Sequence, residues 1–223
     1  MKKYYLNENK EINFNFIMWA IIGLIVITPI IQEFSKLSFL FKIGTTIIFL
    51  TGIYGLANSR KRMIAATILY IPMFLTTWSD FFPSIKHIKF IGNLAGFILI
   101  LGLIYFIFRK IATARTVSLE LIKAAITAYL LLGFAWTLPY LIIYFHNPNS
   151  FSNIDVGAGR QVFESFLYFS YVTLTTLGYG DMCPVSGIAR SVALVEAIVG
   201  QLYLVIVISW MVGIKVGQDL KAE

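Results

Sequence analysis

The chain has 223 residues, of which 58% are hydrophobic and 13% charged, with a formal net charge of +7 at pH 7. A soluble domain carries about twice that share of charged residues, so a freely soluble globular protein is excluded. With one cysteine (Cys183) and two histidines (His87 and His146), an intrachain disulfide and a cysteine-based metal cluster within one chain are excluded too.

Six apolar runs are long enough to cross ~30 Å of hydrocarbon as helices. They lie at 14–31 (FNFIMWAIIGLIVITPII), 38–57, 64–82, 90–108, 120–145 and 187–214, which predicts an all-α integral membrane protein. The first run follows MKK, as a signal peptide would. It is long, lacks a small-residue cleavage site and ends ITPIIQEF, so an uncleaved helix is expected. The second carries Gly44, Gly52 and Gly55, and the fourth carries Gly92 and Gly96 as a GxxxG; close helix packing explains both sets. Pro72 is expected to kink the third, and Asp80 and Lys86 fall in the loop that follows it. Residues 109–119 form the link to the fifth run. His87 and His146 sit at expected membrane boundaries, and plain interfacial histidines account for them. A seventh apolar run, 162–174 (VFESFLYFSYVTL), is too short to span. It is expected to be a half-inserted helix feeding a re-entrant loop.

Six spans put both termini on one side of the membrane. That side holds twelve basic residues: Lys2, Lys3, Lys10, Arg60, Lys61, Arg62, Arg109, Lys110, Arg115, Lys123, Lys215 and Lys221. The other holds six: Lys36, Lys42, Lys86, Lys89, Arg160 and Arg190. The positive-inside rule makes both termini, 1–13 and 217–223, cytoplasmic in a multi-pass protein of the cell membrane. The positive charge is then mostly topology, and lipid rather than nucleic acid is the expected surrounding.

The stretch after the short helix reads TLTTLGYGDM, 173–182. Non-helical backbone at membrane depth is tolerated only where protein or a water-filled cavity surrounds it, so this loop must line something. A row of backbone carbonyls replaces the hydration shell of an alkali cation when successive oxygens point the same way. That alignment needs residues alternating between left- and right-handed backbone, which glycine accepts freely and other residues resist. Gly178 and Gly180 are spaced for it, with Leu177 and Tyr179 turned away from the axis and the Thr176 hydroxyl at the inner end. The loop offers oxygen ligands and no titrating group, which suits ion passage rather than catalysis.

TLGYGD, Thr176 to Asp181, resembles the selectivity filter of tetrameric potassium channels, with Leu177 where valine or isoleucine is more usual. The resemblance covers about 120–216 and implies a pore domain of outer helix, pore helix (162–174), filter (176–180) and inner helix (187–214). It implies K+ ligands from the carbonyls of Thr176, Leu177, Gly178 and Tyr179 and from the Thr176 hydroxyl, with no cofactor beyond the bound ions. One loop cannot surround an ion, so family precedent and cyclic symmetry together imply a homotetramer. The pore helix would then aim the negative end of its dipole at the cavity, while Glu164 near its N-terminus has the favourable sign for that dipole or is a solvated charge at the membrane edge.

In the family the aspartate at the position of Asp181 is often tied behind the filter by a glutamate or an aromatic donor. Val172 occupies the glutamate position, so a Tyr168 hydroxyl bond to Asp181 is expected instead. Cys183 is expected in the outer vestibule. Gly200, nineteen residues beyond Asp181, matches the family's hinge glycine, and Gly213 is a second hinge candidate. Close packing explains Gly200 equally well. The family's helix register turns Gln201, Leu204, Ile208 and Val212 to the cavity. Glu196 is an ionisable residue inside a span and by default has a partner. Ser170, Thr173 or Thr175 on the back of the pore helix is expected, in a filter-supporting or a purely structural bond.

The first four helices (14–108) resemble a voltage-sensor domain, in the voltage-gated-like channel fold, but lack its row of arginines. The fourth run has no basic residue before Arg109 and Lys110. Steep voltage dependence needs several charges in the field, so little is expected. A weakly selective cation channel is the first alternative, although such relatives usually lose the filter tyrosine and Tyr179 is present. A non-conducting subunit or a transporter component is the second. The paired broken helices of a transporter and the clustered acid, base or metal ligands of an enzyme are absent from the sequence.

Overall fold

A computed structural model describes residues 14–33, 38–55, 60–78, 86–154 and 161–220. The expected N-terminal segment 1–13, the last residues 221–223, and Lys36, Asp80 and Arg160 lie outside the described residues. Seven helices follow in order: α1 (Phe14–Glu33), α2 (Ser38–Gly55), α3 (Arg60–Thr77), α4 (Lys86–Ala112), α5 (Leu119–His146), α6 (Gln161–Leu174) and α7 (Gly187–Asp219). Among the described residues, three segments are long and apolar enough to cross a membrane: Ile91–Ala112, Leu119–His146 and Gly187–Asp219. Phe14–Thr28, Ala66–Leu75 and Val162–Leu174 are shorter apolar helical segments. The protein is an all-helical, multi-pass membrane protein.

The helices depart from the apolar runs mainly at their ends. α4 continues through Arg109 and Lys110 to Ala112, because cations in a last turn complement the helix dipole. The link to α5 is therefore 113–118 rather than 109–119. α7 runs five residues past the apolar stretch, and there Lys215 pairs with Asp219 at 2.8 Å, one turn apart. α3 begins four residues earlier than its apolar run, at the basic Arg60–Arg62, and ends at Thr77, five residues short of it. Pro72 sits inside α3, where its missing N–H removes one helical bond.

Serine caps fix the starts of α5 and α7. Ser118 accepts from the Leu121 amide at 3.2 Å, and Ser186 accepts from the Ala189 amide at 3.2 Å; each satisfies one of the free donors of a helix N-terminus. One apolar core runs through the chain from Phe14 and Ile21 on α1, through Leu99 and Leu103 on α4 and Phe134 and Leu138 on α5, to Phe166 on α6 and Val207 on α7. α3 packs on α4, α4 on α5, α1 on α2 and α5, and α7 on both α5 and α6. Gly44 of α2 and Gly96 of α4 sit in close packing, whereas Gly102 of α4 has open space around it and the surroundings of Gly52 and Gly55 lie outside the described residues. A Cβ at Gly44 would lie 2.6 Å from the Leu24 side chain, and one at Gly96 would lie 3.3 Å from Met73.

A two-residue antiparallel bridge, β1 (Phe151–Ser152) with β2 (Cys183–Pro184), ties the segment after α5 to the segment after the loop. The Val185 and Ser186 amides extend it by donating to the Ser150 carbonyl at 2.8 and 3.2 Å. Under it lies an aromatic cluster of Tyr140, Tyr144, Phe151, Phe166 and Phe169, whose ring centroids are 4.8–6.1 Å apart. This bridge holds both ends of the loop region to one scaffold.

Candidate functional site

Backbone hydrogen bonds splay the loop in one sense. As α6 ends, Thr175 N–H donates to Tyr171 O, Thr176 N–H to Thr173 O and Leu177 N–H to Val172 O, at 2.9–3.0 Å, and Gly178 N–H reaches Val172 O at 3.4 Å. The amides point back to α6. Among the described residues, no donor reaches the carbonyls of Thr176, Leu177, Gly178 or Tyr179. The backbone alternates as well: Thr176 (φ 60°), Gly178 (φ 60°) and Gly180 (φ 78°) are left-handed, while Leu177 and Tyr179 between them are not. A left-handed threonine costs about 1–2 kcal/mol. Its own bonds hold it there, through the amide to Thr173 O and through the hydroxyl to Thr175 O at 2.6 Å. The result is a short row of uncommitted carbonyl oxygens with every second residue inverted.

The whole run from Thr175 to Asp181 is exposed in the single chain. Asp181 uses both oxygens: the Tyr168 hydroxyl donates to Oδ2 at 2.7 Å, and the Met182 amide donates to Oδ1 at 3.0 Å. The tie suggested by the sequence is thus present, across thirteen residues. Val172 is buried and contributes its carbonyl instead of a side-chain ligand. Cys183 is half-buried, with its thiol 3.4 Å from the Gly180 carbonyl.

Glu164, in the first turn of α6, is 2% exposed. The solvated-edge alternative is therefore wrong; α6 packs against α1 and α5.

Glu196 is 0% exposed. Of its three expected partners only Ser170 meets it, Oγ to Oε1 at 2.5 Å, and the Thr175 hydroxyl turns back to Tyr171 O. The second partner, Tyr140 on α5, donates to Oε2 and was missed from sequence. Depth carried the signal, because Tyr140 lies in the last third of α5 and Glu196 in the first third of the oppositely running α7.

Gly200 lies in close contact with α6. A Cβ there would lie 2.5 Å from the Leu174 carbonyl oxygen at the end of α6, and that oxygen also accepts from the Tyr129 hydroxyl at 3.2 Å. The close packing that the sequence allowed at this glycine is present in the structure. Gly213 has open space around it. Gln201, Ile208 and Val212 are exposed on the side of α7 away from its own chain, whereas Leu204 is half-buried against the core. Leu204 follows the packed stripe Glu196, Gly200, Tyr203 and Val207 too closely to stand clear of it. Tyr203 anchors that stripe: its hydroxyl donates to Ala125 O at 2.6 Å, and Phe108 of α4 meets its ring edge-on at 5.5 Å.

The chain matches the ion channel family over residues 94–214. Protein LctB of Bacillus caldotenax is 30% identical over 105 residues, 45% of this chain and 76% of the relative. Protein LctB of Geobacillus stearothermophilus is 34% identical over 83 residues, 36% of this chain and 60% of that relative. No solved structure matches the chain at a significant level. With more than half of its 223 residues inside the family match, the loop among them, this chain is a member of the ion channel family and not an enzyme.

Proposed function

We propose that the protein is a potassium-selective channel in which four copies surround one axis. K+ then crosses between rings of carbonyls from Thr176, Leu177, Gly178 and Tyr179, with the Thr176 hydroxyl at the inner end. The observation that carries this is the loop backbone: amides committed to α6, carbonyls uncommitted, and alternate residues left-handed. Such a row replaces ion hydration and has no use in lipid, where exposed polar backbone is excluded. Its exposure in one chain is resolved by further copies, and Tyr179 favours potassium over weak cation selectivity.

In this reading 120–216 is the pore module, and residues 14–108 are a four-helix unit without sensor charge. Asp181 and Tyr168 brace the filter, Glu196 stands behind it, Gln201, Ile208 and Val212 face the cavity, and both termini are cytoplasmic. α4 has its only basic residues past the first turn at Arg109 and Lys110, in its last turn, so voltage has little charge to move.

Purified protein in liposomes tests the proposal. A K+ gradient drives tracer Rb+ uptake that Na+ does not displace, and bilayer currents change with voltage by less than about one effective charge. Sodium permeating as readily as potassium ends this reading. A second expectation concerns the brace. Tyr168→Phe removes a bond to a charged acceptor worth about 1.5–3 kcal/mol, so currents through the variant decay about tenfold faster during sustained conduction. Unchanged decay would show that Asp181 holds the outer mouth without Tyr168.

A further inference from the structure

Three helices meet behind the loop at one buried carboxyl. Glu196 of α7, Tyr140 of α5 and Ser170 of α6 are each 0% exposed. The Tyr140 hydroxyl contacts Oε2 of Glu196, and Ser170 Oγ lies 2.5 Å from Oε1. Ser170 Oγ is also 2.8 Å from the carbonyl oxygen of Gly133 on α5. Gly133 admits this approach because a side chain there would strike the Tyr171 ring, 2.4 Å from a Cβ.

These are three oxygen–oxygen contacts. With an ionised carboxylate only two hydrogens serve them, one on Tyr140 and one on Ser170, so one contact would press lone pair against lone pair. A third hydrogen, on Glu196, gives each contact one: Tyr140 donates to Oε2, Glu196 donates to Ser170, and Ser170 donates to the Gly133 carbonyl. Nothing else relieves the shortage, since among the described residues no lysine or arginine pairs with Glu196. A buried ion without a partner is strongly disfavoured.

We propose that Glu196 is held as a neutral acid whose hydroxyl donates to Ser170, clasping the pore helix between α5 and α7. Glu196 is a positioning residue; it touches no ion. Ser170 lies one turn before Leu174, and the next residues are the loop itself, so the clasp fixes the direction in which α6 delivers the filter. That consequence rests on the channel reading, whereas the hydrogen count does not.

Two measurements on the full chain test it. In the infrared difference between wild type and Glu196→Gln, the wild type shows the carbonyl band of a protonated carboxylic acid, sensitive to deuterium exchange, and the variant lacks it. In liposomes, Glu196→Gln keeps every contact, because its amide donates to Ser170 and its carbonyl accepts from Tyr140, so Rb+ uptake stays within about twofold of wild type. Glu196→Val strands the buried Tyr140 hydroxyl and leaves Ser170 only the Gly133 carbonyl, and uptake falls at least about tenfold. Absence of the acid band, or Glu196→Gln as impaired as Glu196→Val, overturns the proposal. Wild-type liposomes without K+-driven uptake would defeat the channel reading instead, and the infrared band would still decide the clasp.

Discussion

Gly178→Ala abolishes potassium-driven Rb+ uptake and leaves the helices folded. Gly178 has φ 60°, where a residue with a Cβ costs about 1–2 kcal/mol more than glycine. In the proposed fourfold ring the cost adds to about 4–8 kcal/mol, and with tenfold per 1.4 kcal/mol that leaves at most about one ring in a thousand in the conducting arrangement. Steric clash within the chain is not the cause, because an added Cβ at Gly178 meets nothing within 4 Å. Thr176 holds the same φ with a side chain, but its amide bond to Thr173 O is 3.0 Å and its hydroxyl is bonded too, whereas the Gly178 amide has only the 3.4 Å contact to Val172 O. Leu177→Val, at a position without positive φ, retains uptake and serves as the control. Wild-type uptake through Gly178→Ala would mean that the alternating backbone is not what carries the ion.

That loop was legible because its physics is local: two glycines at alternate positions announce a backbone that few other residues adopt. The helices were legible for a similar reason, since a long apolar run in a membrane has one backbone solution. Their ends were less so. Hydropathy stops at Phe108 and near Ile214, yet α4 and α7 continue, because Arg109, Lys110 and Lys215 are good helix formers whatever their polarity and Lys215 pairs with Asp219 one turn on.

Partners across the fold were the least visible. Tyr140 is one of twelve tyrosines, and nothing adjacent to it in sequence marks it as the donor to Glu196. The two-residue bridge of Phe151–Ser152 with Cys183–Pro184 is too short for any periodicity to register. For Glu164 the sequence left a dipole partner and a solvated charge both open, because its 2% exposure is set by packing across the fold that no local pattern announces.

Gly200→Ala melts below wild type, and Gly213→Ala does not. Both substitutions gain about 1 kcal/mol of helix propensity. At Gly213 nothing lies within 4 Å of the new methyl, so the gain stands alone. At Gly200 the methyl arrives 2.5 Å from a backbone oxygen, Leu174 O, which cannot rotate aside as a side chain would. Overpacking of this kind costs about 1–3 kcal/mol. Moving Leu174 also disturbs the Tyr129 bond to the same oxygen at 3.2 Å, worth about 1 kcal/mol more. The balance is a loss of about 1–3 kcal/mol per chain, and it falls on the last turn of α6, directly before Thr175 and Thr176. Rb+ uptake should therefore drop along with the melting temperature. A hinge role for Gly200 carries the opposite sign in the melt, since a stiffer helix without a clash is more stable. Thermal melts of the two variants beside wild type separate these readings: if Gly200→Ala rises as Gly213→Ala does, the contact with Leu174 is not what the glycine is for.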